Sequence, residues 1–347
     1  MIRRTLLAFA ALAAASVARA EPAKIDQLVI RSWPGPWDDA MVEVGSKFTA
    51  KTKIKVAYDH RSDGVMTTLL QTAAAQHRTP PVDVFYTFDF HAKKADMRGL
   101  LNPMTVAEVP NLANMMSMSD PEGGGTSWPW VNVGADVVTL LYRGDKFPQP
   151  PKSYAVMFDP AYKGRVLFYS VPQYTLNIVA LINHWSVPDD MDKIWGFIQA
   201  KLATQNPILG GDPETVGGFE RNEIDLTVSY PAIARQLAPI GVKITRPKEG
   251  LIGNFEAVAI PKGLDPDHRY WAEQFVNFLL SPEVLTQYCH RLMVACLRKG
   301  IPSTDAELAD PAFPKSEEEL QKIVHIPVGL LAKHDSEWSA HYDEILK

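Results

Sequence analysis

Apolar and polar positions follow two alternating rhythms along the chain. QLVIRSW (27–33), KIKVAYD (53–59) and VDVFYT (82–87) are short apolar-rich runs of strand character. Between them, DDAMVEVGSKFTAKT (38–52) and DGVMTTLLQTAAAQ (63–76) place apolar residues at helical spacing, the first opened by Asp38. A β-α-β-α-β order predicts a parallel sheet with helices on its faces, an α/β fold. A second block follows: a strand at 135–143, a Pro-punctuated helix and turn at 150–164, and a strand at 165–170. Helices are expected at 173–186 and 189–205, and a strand at 224–230 leads into PAIARQLAPIG. A late strand (FEAVAIPKG, 255–263) precedes a long helical pattern interrupted at Ser281-Pro282 and a helical C-terminus.

In open parallel sheets, ligands bind beyond the carboxyl ends of the strands. The loops after the first and third strands carry Trp33, Trp37, Phe88 and Asp89. Asp89 has two readings: it opens the following helix as a cap, or it waits with its aromatic neighbours for a cationic ligand. Asp83 reads as structural. Trp128 and Trp130 frame SWPWVN, which serves either packing or a cleft wall. Tyr169, Tyr174 and Tyr230 fall at strand ends or a helix start, where each can stack and hydrogen-bond. Glu256 lies inside an apolar strand, and a buried carboxylate there needs partners.

The first twenty residues change the picture. Arg3 and Arg4 precede the apolar TLLAFAALAAASV, and Ala18-Arg19-Ala20 forms an A-x-A cleavage site. Residues 1–20 read as a signal peptide and are set aside from the fold; the mature protein is expected to be soluble in the periplasm. Taking Arg3, Arg4 and Arg19 from the 35 basic residues leaves 32 against 40 acidic ones, a formal charge of −8. That balance argues against nucleic-acid and anionic-membrane partners. No phosphate loop, G-x-S-x-G or H-E-x-x-H occurs. GGG at 123–125 reads as a turn. His334, Glu337 and His341 share a helix face at metal-capable spacing, which reads as a solvated face; no metal or other cofactor is expected. An unbroken helix would hold Cys289 and Cys296 about 10 Å apart, beyond bridging range. A chain that leaves the helix within LMVACL allows a disulfide, so both arrangements stand open.

Four passages resemble a known family. VIRSWPGPWDDAMVEVGSKFTAKTKIKVAYD, PPKSYAVMFDPAYKGRVLFYS, NFEAVAIPKG and YWAEQFVNFLLSPEVLTQY occur in the order found in type 2 periplasmic solute-binding proteins of ABC importers. The group includes polyamine, iron and thiamine binders, and the spermidine/putrescine binders are the most similar. The resemblance implies two α/β lobes, 21–132 plus 257–347 and 133–256, with a ligand cleft between them. It implies a monomer that closes on a small molecule and presents it to an inner-membrane permease, with no catalysis. Trp33, Trp37, Phe88, Asp89, Trp130, Tyr169, Tyr174, Tyr230 and Glu256 become the expected ligand contacts. Glu256 matches the acid that engages an amine in polyamine-binding relatives. Two departures stand against a simple polyamine: Asn254 replaces a family Trp, and Ser170, Val171 and Pro172 replace an acidic pair. An anionic or zwitterionic solute, such as an amino acid or aminophosphonate, is therefore the alternative. An enzyme on the same scaffold, with Cys289 or a carboxylate as its catalytic group, is the remote one.

Overall fold

The structure is a computed structural model describing residues 22–120 and 125–346. The expected leader (1–20) and most of the expected GGG turn lie outside the described residues. The first lobe opens with β1 (Gln27–Arg31), α1 (Pro36–Thr52), β2 (Lys55–Asp59), α2 (Asp63–Ala75), β3 (Val84–Phe88), α3 (Asp89–Asp96) and the short β4 (Leu101–Asn102). β1 pairs in parallel with β2 and β3, as the β-α-β order requires. α1 starts on Pro36, after Gly35 at φ 82°, so Trp33 and Trp37 flank a sharp corner at the strand edge.

β5 (Trp130–Arg143) is one long strand serving two neighbourhoods. Its first part pairs antiparallel with the late strand β10 (Ile252–Pro261) up to Val138, and from Thr139 it pairs with second-lobe strands. That lobe contains β6 (Leu167–Tyr169), α4 (Pro172–Asn183), α5 (Met191–Gln205), β7 (Ile208–Gly210) and α6 (Asp212–Glu220). It is completed by β8 (Leu226–Ser229), α7 (Pro231–Leu237) and β9 (Val242–Thr245). The expected helix at 150–164 forms two 3-10 turns instead, because Ser153 and Asp159 each cap a new start and Pro160 interrupts the ladder.

β10 returns the chain to β3, with Glu256 opposite Phe88, and two helices, α8 (Pro266–Leu279) and α9 (Pro282–Leu292), follow. α9 ends at Met293 in the left-handed region (φ 59°), and the chain reverses into β11 (Ala295–Cys296). This reversal brings the Cys289 and Cys296 Cα atoms to 5.6 Å, and the two are disulfide-bonded. After the short α10 (Asp305–Ala309) and α11 (Glu317–Gln321) comes α12 (Val328–Ile345), which touches both lobes. Asp335 pairs with Lys94 of α3 at 2.6 Å, while Tyr342 bonds Thr175 of α4 at 3.0 Å. Among the described residues no helix is long and apolar enough to cross a membrane.

Candidate functional site

Strand ends and helix starts of both lobes converge on one cleft. From the first lobe, Trp33 lies 4.4 Å from the Phe88 ring and 4.5 Å from that of Tyr86. Its indole N–H donates to Asp63 at 3.0 Å, and the Arg31 guanidinium sits 4.8 Å over its ring. Phe88 stacks on Tyr230 of the second lobe at 6.4 Å and 14°, and Trp37 meets Tyr230 edge-on at 5.2 Å. Opposite them, the Tyr174 and Tyr230 hydroxyls are 2.6 Å apart, and the Asn254 amide donates to Tyr174 at 2.9 Å. The walls enclose a cavity of about 200 Å³ that shares Trp33, Trp37, Asp63 and Asp212 with an adjoining groove of about 570 Å³.

The cleft acids differ in what already holds them. Burial alone would raise Asp63, but the fields of His91 and Arg31 hold it below the usual range, and Arg31 contacts it at 2.8 Å. Asp212, at the start of α6, has no such help. Its hydrogen-bond donor is the Tyr169 hydroxyl, no cation approaches it among the described residues, and burial raises it to about 6. It is an acid set among aromatic rings without a counter-ion. His91 also lines the cavity with its Nδ1 unpartnered; burial lowers its pKa, against the opposing field of Asp63.

Asp212 and His91 escaped the sequence reading. α6 (DPETVGGFE) carries two glycines that weaken its helical pattern. The usable signal was Gly211-Asp212-Pro213-Glu214, a Pro in the first turn with Glu214 accepting from the Gly211 N–H at 2.9 Å.

Three expected contacts sit elsewhere. Glu256 is fully buried beneath Trp37 (0% exposed) and accepts from the Trp37 N–H at 3.0 Å and the Tyr288 hydroxyl at 2.7 Å. Asp89 does not join Phe88 in the cleft, because successive residues at a strand end point to opposite faces. It lines a separate cavity of about 390 Å³ with Trp130, Asn132, Phe255 and His325. There its carboxylate accepts from the Phe90 N–H at 2.8 Å at the start of α3, and burial raises it to about 7. Trp130 is 1% exposed and donates to Asn132 at 3.0 Å. On α12, His334 contacts Glu337 and stacks on Trp338, while His341 packs on Trp195. No metal-binding group of side chains forms among the described residues. The disulfide removes the free thiol that an enzymatic reading of Cys289 required.

Residues 43–316 match the family of bacterial extracellular solute-binding proteins. The chain belongs to that family. Solved structures are similar to this solute-binding protein over nearly its whole length, at identities that speak for the fold alone. An ABC transporter substrate-binding protein from Bradyrhizobium japonicum USDA 110 aligns with TM-score 0.78 at 16% identity, covering 93% of this chain and 100% of that one. AgtB from A. tumefaciens R10, in complex with agropinic acid, gives 0.76 at 18%, covering 93% and 99%. A putative spermidine/putrescine ABC transporter from Listeria monocytogenes gives 0.74 at 18%, covering 92% and 99%. No curated protein matches the chain.

Proposed function

We propose that this solute-binding protein is the substrate-binding component of an ABC importer, and that its cargo is a small solute carrying an amine. The observation that carries the reading is Asp212, a half-buried carboxylate beside Tyr169 with no counter-ion among the described residues, in a cavity walled by Trp33, Phe88 and Tyr230. A protonated amine supplies the missing charge, and aromatic faces add about 0.5–2 kcal/mol each once desolvated. The name of the Listeria structure, a spermidine/putrescine transporter, supports the same chemistry. The leader would be removed on export to the periplasm. The lobes, divided near 132–133 and 256–257, would then close as a monomer by bending where β5 and β10 pass between them, and deliver the solute to a permease.

A second reading adds an acidic end to the solute. α4 begins at the cavity wall with Val171 and Gln173 and has no side-chain cap. Uncapped N–H groups at a helix start suit a carboxylate. The agropinic acid held by AgtB points the same way.

Thermal-shift and calorimetric titration of residues 21–347 with putrescine, spermidine, γ-aminobutyrate, glutamate and an aminophosphonate separates the readings. Amines should raise Tm, and Asp212→Asn should abolish the shift. If only solutes with an acidic group bind, the second reading replaces the first. If Asp212→Asn leaves amine binding intact, both fall.

A further inference from the structure

Beneath the cleft lies a second acidic arrangement, outside the residues that line its cavity and the adjoining groove. Asp136 on β5 and Glu256 on β10 are diagonal neighbours on adjacent antiparallel strands: Asp136 faces Asn254, and Glu256 faces Gly134. Asp136 is 2% exposed and Glu256 0%. A Cβ added at Gly134 would crowd Val294 at 3.0 Å and reach ordinary contact with the Glu256 carboxylate at 3.5 Å. The Trp37 N–H points between the two acids, 3.0 Å from Glu256 Oε1 and 3.2 Å from Asp136 Oδ2. The Tyr288 hydroxyl donates to the other Glu256 oxygen at 2.7 Å and is hydrogen-bonded to that of Tyr86.

Groups facing the pair come from every surrounding element. Tyr86 is on β3, Tyr288 on α9 and Trp37 on α1; the fields of Asp212 on α6 and of Tyr174 and Tyr230 reach it from the second lobe. None of these is cationic. Two carboxylates in contact in a dry site cannot both stay ionised, so the pair retains a proton. Burial and the neighbouring Glu256 raise Asp136 well above the usual range, and burial raises Glu256 to about 7. The pair therefore takes up a single negative charge as pH rises and shares the retained proton.

We propose that Asp136 and Glu256 are positioning residues that act through Trp37: together they fix its indole as the cleft wall and, through the N–H bond, set how electron-rich that wall is towards a cation. The inference rests on the amine reading of the cleft, but the carboxyl pair itself does not. An indole donating to a carboxylate gains electron density and binds a cation more strongly than one donating to a neutral carboxyl. Glu256 thus tunes the site without touching the solute, whereas Asp212 meets it directly.

The test has two arms. Putrescine affinity, measured calorimetrically from pH 5 to 8.5, should tighten in two steps. The lower step, near pH 6, belongs to Asp212. The upper, near pH 7, should be about fivefold, the size expected for one charge acting across a single ring at intermediate dielectric. Glu256→Gln should delete the upper step. Asp136→Asn is neutral like a protonated carboxyl, still accepts from Trp37 and donates to Glu256, and should leave that step in place. Survival of both steps in Glu256→Gln, with affinity merely weakened at every pH, would reduce the pair to a packing role and overturn the proposal.

The second arm uses ligand-free wild-type protein. Infrared difference titration should show one un-ionised carboxyl band persisting at pH 8 and absent from Asp136→Asn. No such band at pH 8 would refute the shared proton, whatever the variants do. A band present with no putrescine binding at any pH would retain the pair, end its proposed action on an amine, and count against the amine reading.

Discussion

Replacing Asp212 by Asn should move stability and binding in opposite directions. Asn keeps the size and still accepts from Tyr169, but removes the charge. The carboxyl rises from 3.8 to about 6 on folding, with burial as the largest cause. A carboxylic acid whose folded pKa is raised is harder to ionise in the native state, so ionisation counts against folding. The penalty is absent below pH 3.8, grows between there and about 6, and is constant above. At 1.36 kcal/mol per pH unit its ceiling is about 3 kcal/mol. Urea denaturation of ligand-free protein at pH 7.5 should therefore show Asp212→Asn more stable than wild type by about 1–3 kcal/mol, with the difference vanishing near pH 3.5. Amine affinity should fall by about 1.5–3 kcal/mol, the worth of a charge-assisted hydrogen bond. A less stable ligand-free variant at pH 7.5 would show that Asp212 is satisfied without a ligand, and the argument for a cation would fail.

Asp63 should respond in the reverse sense although it lines the same cleft. Arg31 is 1% exposed and depends on it, so Asp63→Ala leaves a buried guanidinium unpaired and should cost about 3–5 kcal/mol in chemical denaturation. A cost below 1 kcal/mol would mean that water or Tyr86 suffices for Arg31. The Cys289–Cys296 bridge closes a short loop, and the double alanine variant should lose about 2–3 kcal/mol of stability under oxidising conditions. Equal stability of wild type and variant without reductant would contradict that.

Much of this arrangement was legible in the chain because strand-end aromatics obey a simple rule. Trp33, Phe88, Tyr169 and Tyr230 follow or end strands whose carboxyl edges meet, so the alternation of elements was enough to gather them. The same rule misplaced Asp89, since chain adjacency to Phe88 says nothing about which face a residue takes. Asp136 stayed hidden because one acid in an apolar run reads as a solvent-facing position until its neighbour across the sheet is known. Glu256 was noticed for the right reason, a carboxylate in an apolar strand needing partners. Those partners are Trp37 and Tyr288, 219 and 32 residues away, pairings that no local pattern encodes.

The last helix constrains the proposed opening. α12 is pinned to the first lobe through Asp335 and to the second through Tyr342, seven positions further along the same rigid rod. A rod about 10 Å long between its pins cannot stretch. When the lobes part, either the Lys94 ion pair or the Thr175 hydrogen bond has to let go, and whichever holds decides the lobe with which the C-terminus travels. The gape of the empty protein is thus limited by the weaker of two fasteners, and shortening the chain from its C-terminal end should widen it.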